Sequence, residues 1–315
     1  MTVCVAALCA DGSAAVAASD QMMSTDDNQT KRLKIHHLTD RVIAMIAGDV
    51  NLHTELLEEV RATLRATEDQ PEIQTVKNIA DAYAKSYIDA KRRRAESAYL
   101  LPIGLTVETF IQNQRNLTEA IAADLTRQVV HFQMPACAAL FVGIDQSAGY
   151  GRAHIYTVQN GEVSCHNDTG FAAIGVGRNQ AASSLMFTGH GSSMSMDQVL
   201  YMTLVAKKRA EVAPGVGKET DMAFLSVAEG KYIYLKTKVV EHLEEIYAGA
   251  EISHTVVNQT AVEQCHEYLD TFRTTTIATE PTQRVELSGT APTADTTGHF
   301  VDGSGENGAS ATPGV

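Results

Sequence analysis

The chain has 315 residues, a formal net charge of −13 from 38 acidic and 25 basic residues, and 44% hydrophobic residues. That length admits one large domain or two small ones, with composition enough for a substantial core. The acidic balance lacks the basic footprint of a nucleic-acid binder, disfavours an anionic membrane surface and favours solubility.

The first twenty residues read MTVCVAALCADGSAAVAASD. An Asp11-Gly12 pair between two apolar runs signals a hairpin. The runs are apolar at consecutive positions, which predicts strands buried on both faces, as in the middle of a layered sandwich. Ala15-Val16-Ala17 resembles a signal-peptide cleavage site. No Lys or Arg precedes the apolar run, however, and Asp11-Gly12 interrupts it, which argues against a signal peptide. No stretch reaches the roughly 18 uninterrupted apolar residues of a membrane span, and the residue after Met1 is not the glycine that myristoylation needs. Cys4, Cys9, Cys137, Cys165 and Cys265 are odd in number and scattered, with no C-x-x-C. This predicts structural thiols in a reducing cytosol rather than a disulfide framework or zinc site, and no cofactor is implied.

Gln21 to Thr30 reads as a polar loop. Arg32–Leu38 and Arg41–Ala47 read as two strands, ended by Gly48-Asp49. Leu52, Leu56, Leu57, Val60 and Leu64 recur at helical spacing to about Ala66. Pro71 is expected to open a second helix whose buried stripe is Ile73, Val76, Ala80, Tyr83 and Tyr87. Its basic run Lys91 to Arg94 suits a solvated helix C-terminus. Over 98–132 the pattern breaks at Pro102 and Gly104, and a helix is expected over Asn116–Val130.

A three-strand meander follows at Ala136–Ile144, Ala153–Gln159 and Val163–Asn167, with Asn160-Gly161 as a tight turn. Gly170–Gly177 reads as a short strand ending in glycines, and Asn179–Phe187 as a helix. Ser195 to Gln198 is a capping-box pattern opening a helix to about Ala210. Pro214, Gly215 and Gly217 make a turn, and Thr220–Val227 with Lys231–Lys236 make a strand pair. Two helical segments, Val239–Ala248 and Gln259–Phe272, close the ordered part, with a disordered tail expected over 274–315 from its Thr, Ala, Gly, Ser and Pro content. Strand runs followed by helix runs predict an α+β domain, sheets packed on each other and helices outside.

Removal of Met1 would leave Thr2 as a free N-terminal residue on a rigid strand. A threonine hydroxyl is a weak nucleophile until a base takes its proton, and the α-amine of the same residue, with a pKa of about 8, can be that base. Alone, Thr2 reads as an ordinary second residue, a position that is often small.

The order of Thr2, Asp11-Gly12, Ser19-Asp20, Lys34-Ile35 and Ala47-Gly48 resembles that of the proteasome-type N-terminal-nucleophile hydrolases. Ala173-Ile174-Gly175-Val176-Gly177 is similar to the family's I-G-x-G element, and Gly215-Val216-Gly217 with Asp221 to the end of its central fold. The pattern covers roughly residues 2–250, with 98–132 as an insertion and 251–273 as an extra C-terminal helix, and is nearest to the bacterial Anbu-like group. The resemblance implies a four-layer αββα sandwich of antiparallel sheets and a cytoplasmic threonine peptidase. It further implies a homo-oligomer, ring or spiral, that takes a peptide or unfolded protein, with any ATPase a separate protein because no P-loop occurs here. Neither nucleic acid nor membrane is an expected partner.

It assigns Thr2 Oγ as nucleophile, Lys34 as the cation that activates it, Asp20 as the group that holds Lys34, and the Gly48 N–H as oxyanion donor. Outside that resemblance Lys34 reads as a strand-edge cation. The chain departs from the proteolytic members where Val176 replaces a serine, and where Glu211 and Pro214 stand near an expected Asp and Ser. A non-catalytic scaffold of the same fold and a small-molecule amidase are the competing expectations. His36 and His37 are adjacent on a strand, so they point to opposite faces and read as structural rather than as ligands to one metal. Ser-His-Asp chemistry lacks a G-x-S-x-G.

Overall fold

A computed structural model describes residues 2–25, 28–31, 33–147 and 150–278. Strands β1 (Val3–Cys9) and β2 (Ala14–Asp20) pair antiparallel, Cys4 opposite Ser19 and Cys9 opposite Ala14, around a 3-10 turn at Ala10–Gly12. Every residue of both strands is buried. Their period of two divides two environments: Val3, Val5, Ala7 and Cys9 enter one core, and Cys4, Ala6 and Leu8 enter another. Consecutive apolar residues are required because neither face of the hairpin meets water.

The hairpin is the centre of a five-stranded sheet. It pairs with β10 (Phe171–Gly175) on one side and β11 (Thr220–Ser226) on the other, and β12 (Lys231–Tyr234) pairs with β11. A second sheet follows chain order: β5 (Ile35–Thr39), β6 (Val42–Gly48), β7 (Cys137–Ser147), β8 (Tyr150–Gln159) and β9 (Glu162–Cys165). All pairs in both sheets are antiparallel.

Three apolar clusters fix the layering. Cys4, Ala6 and Leu8 pack between the sheets with Ile43, Met45, Leu140, Val142 and Ile155 of the second sheet. Val3, Val5 and Val16 face α5 (Arg178–Phe187) and α6 (Met196–Ala210) through Leu185, Val199 and Leu204. Val42, Ala44 and Phe141 face α1 (Val50–Ala66) and α2 (Val76–Ala95) through Leu56, Val60, Ile79 and Tyr83. Helices therefore cover the outer face of each sheet, as expected of an α+β sandwich.

Several local expectations are corrected. The predicted loop after Asp20 contains an antiparallel ribbon, β3 (Met22–Thr25) with β4 (Asn28–Lys31); its short polar strands carry no apolar alternation to announce them. Arg32, the expected start of the next strand, lies outside the described residues. Pro71 opens only a 3-10 turn, Pro71–Ile73, and Ile73 is exposed, because Thr75 caps the true helix by accepting from the Asn78 N–H. The 98–132 segment holds a π-turn at Glu96–Leu100, then α3 (Val107–Asn113) and α4 (Glu119–Val130).

Arg93 and Arg94 are more than a solvated end, since they reach Glu55 and Glu59 of α1 at 2.7–3.0 Å. The Asn160-Gly161 turn and the Ser195 capping box, its N–H donating to Gln198 Oε1 at 3.1 Å, form as expected. The two expected C-terminal helical segments are one helix, α7 (Thr237–Ala278), so the tail expected from Thr274 begins as helix; residues 279–315 lie outside the described residues. The chain divides into two compact units, Met1–Thr255 and Val256–Val315, and the sandwich belongs to the first. Among the described residues no helix is long and apolar enough to cross a membrane.

Candidate active site

Thr2, Asp20 and Lys34 converge where β1 begins and β2 ends, although 18 and 14 residues separate them along the chain. Antiparallel pairing of β1 with β2 explains the first convergence, since a hairpin returns its last residue to the level of its first. Lys34 arrives from the second sheet, directly before Ile35, which packs into the layer between the sheets. The site thus lies at the rim of the inter-sheet space.

Lys34 Nζ donates to Thr2 Oγ1, and the Thr2 hydroxyl donates to Asp20 Oδ1. Lys34 Nζ also donates to Asp20 Oδ1 at 2.7 Å. The carboxylate is saturated further by backbone: the Val3 N–H donates to Oδ1 at 2.9 Å and the Gly217 N–H to Oδ2 at 2.9 Å. Asp20 is wholly buried, Thr2 is 4% exposed and Lys34 7% exposed, so all three groups act with little competing water. Burying a carboxylate costs least when it is paired and hydrogen-bonded, and Asp20 has both kinds of partner. Cys4, next along β1, is not a rival nucleophile: burial pushes its thiol up to about 12.

Two glycines end strands in close backbone contact, and one of them lies against Thr2. Gly175, at the end of β10, has a φ of +91°, and a Cβ there would meet the Thr2 carbonyl oxygen at 2.3 Å. Gly48, at the end of β6, has a φ of +120°, and its Cβ would meet the Ala136 carbonyl oxygen at 2.0 Å. Gly48 lies opposite Cys137, while the Asp49 N–H donates to the Ala136 carbonyl at 2.9 Å. In an antiparallel ladder bonded and non-bonded pairs alternate. The Asp49–Ala136 and Ala47–Ala138 pairs are therefore the bonded ones, and the intervening Gly48 N–H is directed away from β7. That direction is the β5 side, from which Lys34 enters.

The sequence marks the turn that holds Gly217 but no role for the residue. Its N–H on Asp20 depends on the 213–218 turn, which Lys207 fastens by donating to the Lys218 carbonyl at 2.7 Å. Asp221, opposite Ser19 on the next strand, accepts from Gln21 Nε2 at 2.6 Å, and burial raises its carboxyl above the usual range. The positions that depart from the proteolytic pattern make none of the hydrogen bonds to Thr2, Asp20 and Lys34 described above, although Pro214 lies in the 213–218 turn and Glu211 holds Lys207. Val176 is 50% exposed, Pro214 is exposed, and Glu211 accepts from Lys207 Nζ at 2.6 Å. His36 is half-buried, and the ring of the exposed His37 lies 5.1 Å from that of Tyr232, tilted by 41°. No protein-family model and no curated protein matches this chain.

Proposed function

We propose that this chain is a threonine-type amide hydrolase of the N-terminal-nucleophile class, an αββα sandwich acting as a peptidase inside a homo-oligomer. One observation carries the reading: a buried threonine at position 2 bonded at once to a lysine and to a carboxylate that backbone N–H groups hold in place.

Removal of Met1 frees the Thr2 α-amine. The Oγ proton passes to that amine as Oγ bonds the substrate carbonyl carbon. Lys34 places a cation against Oγ, which favours the developing alkoxide, and Asp20 holds Lys34 in place. The tetrahedral oxyanion is received by the Gly48 N–H, an interaction whose loss typically costs about 2.7–4 kcal/mol in transition-state binding. The intermediate collapses by breaking its C–N bond, and the α-ammonium gives its proton to the leaving amine. Water, activated by the same amine, then hydrolyses the Thr2 ester.

The test is the intact mass of the purified protein before and after a peptide epoxyketone, which closes a ring on the hydroxyl and free amine of an N-terminal threonine. Loss of Met1 and one adduct per chain, absent from Thr2→Ala, is the expected result. A second reading, a non-catalytic scaffold, is favoured by Val176, which puts an exposed apolar side chain where a hydroxyl stands in the proteolytic pattern. Retained Met1 would select it, because the mechanism then has no base.

A further inference from the structure

Directly behind the Ala47–Gly48 peptide sits a buried polar cluster that the mechanism above does not use. His53, on the first turns of α1, is wholly buried; Tyr83 on α2 is 1% exposed and Cys137 at the start of β7 is 4% exposed. His53 Nε2 lies 3.0 Å from the Ala47 carbonyl oxygen. Tyr83 Oη lies 2.6 Å from His53 Nδ1 and 3.1 Å from Cys137 Sγ.

The partners settle the tautomer. A carbonyl only accepts, so Nε2 carries the proton. Burial lowers the His53 pKa and keeps the ring neutral, so Nδ1 accepts and the Tyr83 hydroxyl donates to it. Tyr83 in turn can receive the Cys137 thiol proton. The chain of donors therefore runs one way, from Cys137 through Tyr83 and His53 into the Ala47 carbonyl.

That carbonyl belongs to the same peptide group as the Gly48 N–H. A hydrogen bond to a peptide oxygen draws electron density toward it and makes the N–H on the other side a stronger donor; in a dry interior such bonds reinforce one another. The junction is also pinned mechanically. Asp49 Oδ1 accepts from the Leu52 N–H at 2.7 Å, the Asp49 carbonyl accepts from the His53 N–H at 3.1 Å, and the Asp49 N–H donates to Ala136. The first turn of α1 thus brings the imidazole back to the last peptide of β6.

We propose that His53, oriented by Tyr83, is a positioning residue that fixes and polarises the Ala47–Gly48 peptide so that the Gly48 N–H serves as the oxyanion donor. The inference rests on the threonine-hydrolase reading for its catalytic consequence, but the polarisation itself is independent of activity. His53→Leu fills the site without a donor, His53→Gln supplies an amide N–H in its place, and Tyr83→Phe removes the hydroxyl that meets both His53 Nδ1 and Cys137 Sγ.

Two readouts on the full chain decide it. The first is kcat and KM for a fluorogenic peptide. His53→Leu is expected to lower kcat roughly tenfold or more, short of the loss typical of deleting an oxyanion donor, with KM within about twofold. His53→Gln should recover most of that loss, and Tyr83→Phe should fall between. The second is the carbonyl 13C resonance of Ala47; labelling alanine carbonyl carbon with glycine nitrogen selects the Ala47-Gly48, Ala148-Gly149 and Ala248-Gly249 peptides, and loss of the other two signals in Ala148→Ser and Ala248→Ser assigns Ala47. It should move upfield in His53→Leu and return toward its native position in His53→Gln. Wild-type kcat in His53→Leu, equal losses in His53→Leu and His53→Gln, or an unmoved Ala47 resonance would overturn the proposal. Absence of a Thr2 adduct in the wild type would instead sink the hydrolase reading, and the Ala47 resonance would still decide whether His53 polarises this peptide.

Discussion

Among the described residues two lysines are buried, and their surroundings differ. Lys34 is 7% exposed and bonds a hydroxyl and a carboxylate; Lys207 is wholly buried and bonds Glu211 and the Lys218 carbonyl. Depth does not separate them. Their anions do. The side chain of Asp20 has no solvent exposure, so its charge depends on Lys34 and the donors around it. Glu211 keeps 19% of its side chain in solvent and has Lys208 at 3.1 Å as a second cation. A buried cation that touches both a hydroxyl and a carboxylate without solvent exposure fits the chemistry proposed above. One whose carboxylate is shared with water and a neighbour is arranged to fasten a turn.

The contrast is sharpest under removal of each amine. Lys34→Met is expected to lower peptide turnover about 10³-fold or more and to cost about 3–5 kcal/mol of stability, because it strands a buried charge. Steady-state kinetics and urea midpoints measure both, and near-native turnover in a folded Lys34→Met would erase the distinction. Lys207→Met should cost about 1 kcal/mol, the scale of one net hydrogen bond, with turnover within about threefold; a loss as large as that of Lys34→Met would make the Gly217 turn part of the chemistry.

A pH series refines the comparison further. Burial lowers the Lys207 pKa below the ordinary lysine value of 10.5, despite Glu211. Between the lowered and ordinary values the unfolded chain holds a proton that the folded chain has released, so unfolding takes up protons and stability rises with pH. The wild type should therefore gain stability relative to Lys207→Met as pH climbs toward 10.5, read from urea midpoints at successive pH values. A flat difference would mean that Glu211 holds the ammonium as firmly as water does. The smallest effect is expected on the surface, where Arg93 pairs with Glu55 and Glu59 at half-exposed positions. Arg93→Ala should shift stability by about 0.2–1 kcal/mol and leave turnover unchanged.

How far the chain announces this arrangement depends on how local each cause is. The β1–β2 hairpin was legible because a turn pair and two all-apolar runs lie in one window, and the α1 stripe because its period is its own. The ribbon at Met22–Lys31 was not, since short polar strands carry no burial pattern. α7 was divided in two because Gly249 and the polar residues after it lower helix propensity, although the helix runs through them. Thr2, Asp20 and Lys34 stood out only through their order along the chain, and nothing local in Lys34 separates it from a strand-edge cation. Gly217 acts through a backbone N–H on Asp20, far away in sequence, whereas His53 acts through a ring nitrogen on Ala47, only six residues away but across the corner between a strand and a helix, which no periodicity marks. Tyr83 was legible as an apolar stripe residue, but its hydroxyl was not. A histidine beside Leu52 on the buried side of α1 was the one available hint.

Gly48 and Gly175 carry a consequence for variation. Each has a left-handed φ, and at each a single added carbon would collide with a backbone oxygen, at 2.0 and 2.3 Å. Neither has a side chain to contribute, and neither can accept one without moving β7 or Thr2 itself. In a library of every single substitution, the three reactive side chains would drop out of a screen for turnover while many of those variants still folded. The two glycines would drop out of a screen for folding as well. The outline of the site would then appear twice, once drawn by reactivity and once by two positions with no permitted spelling but one.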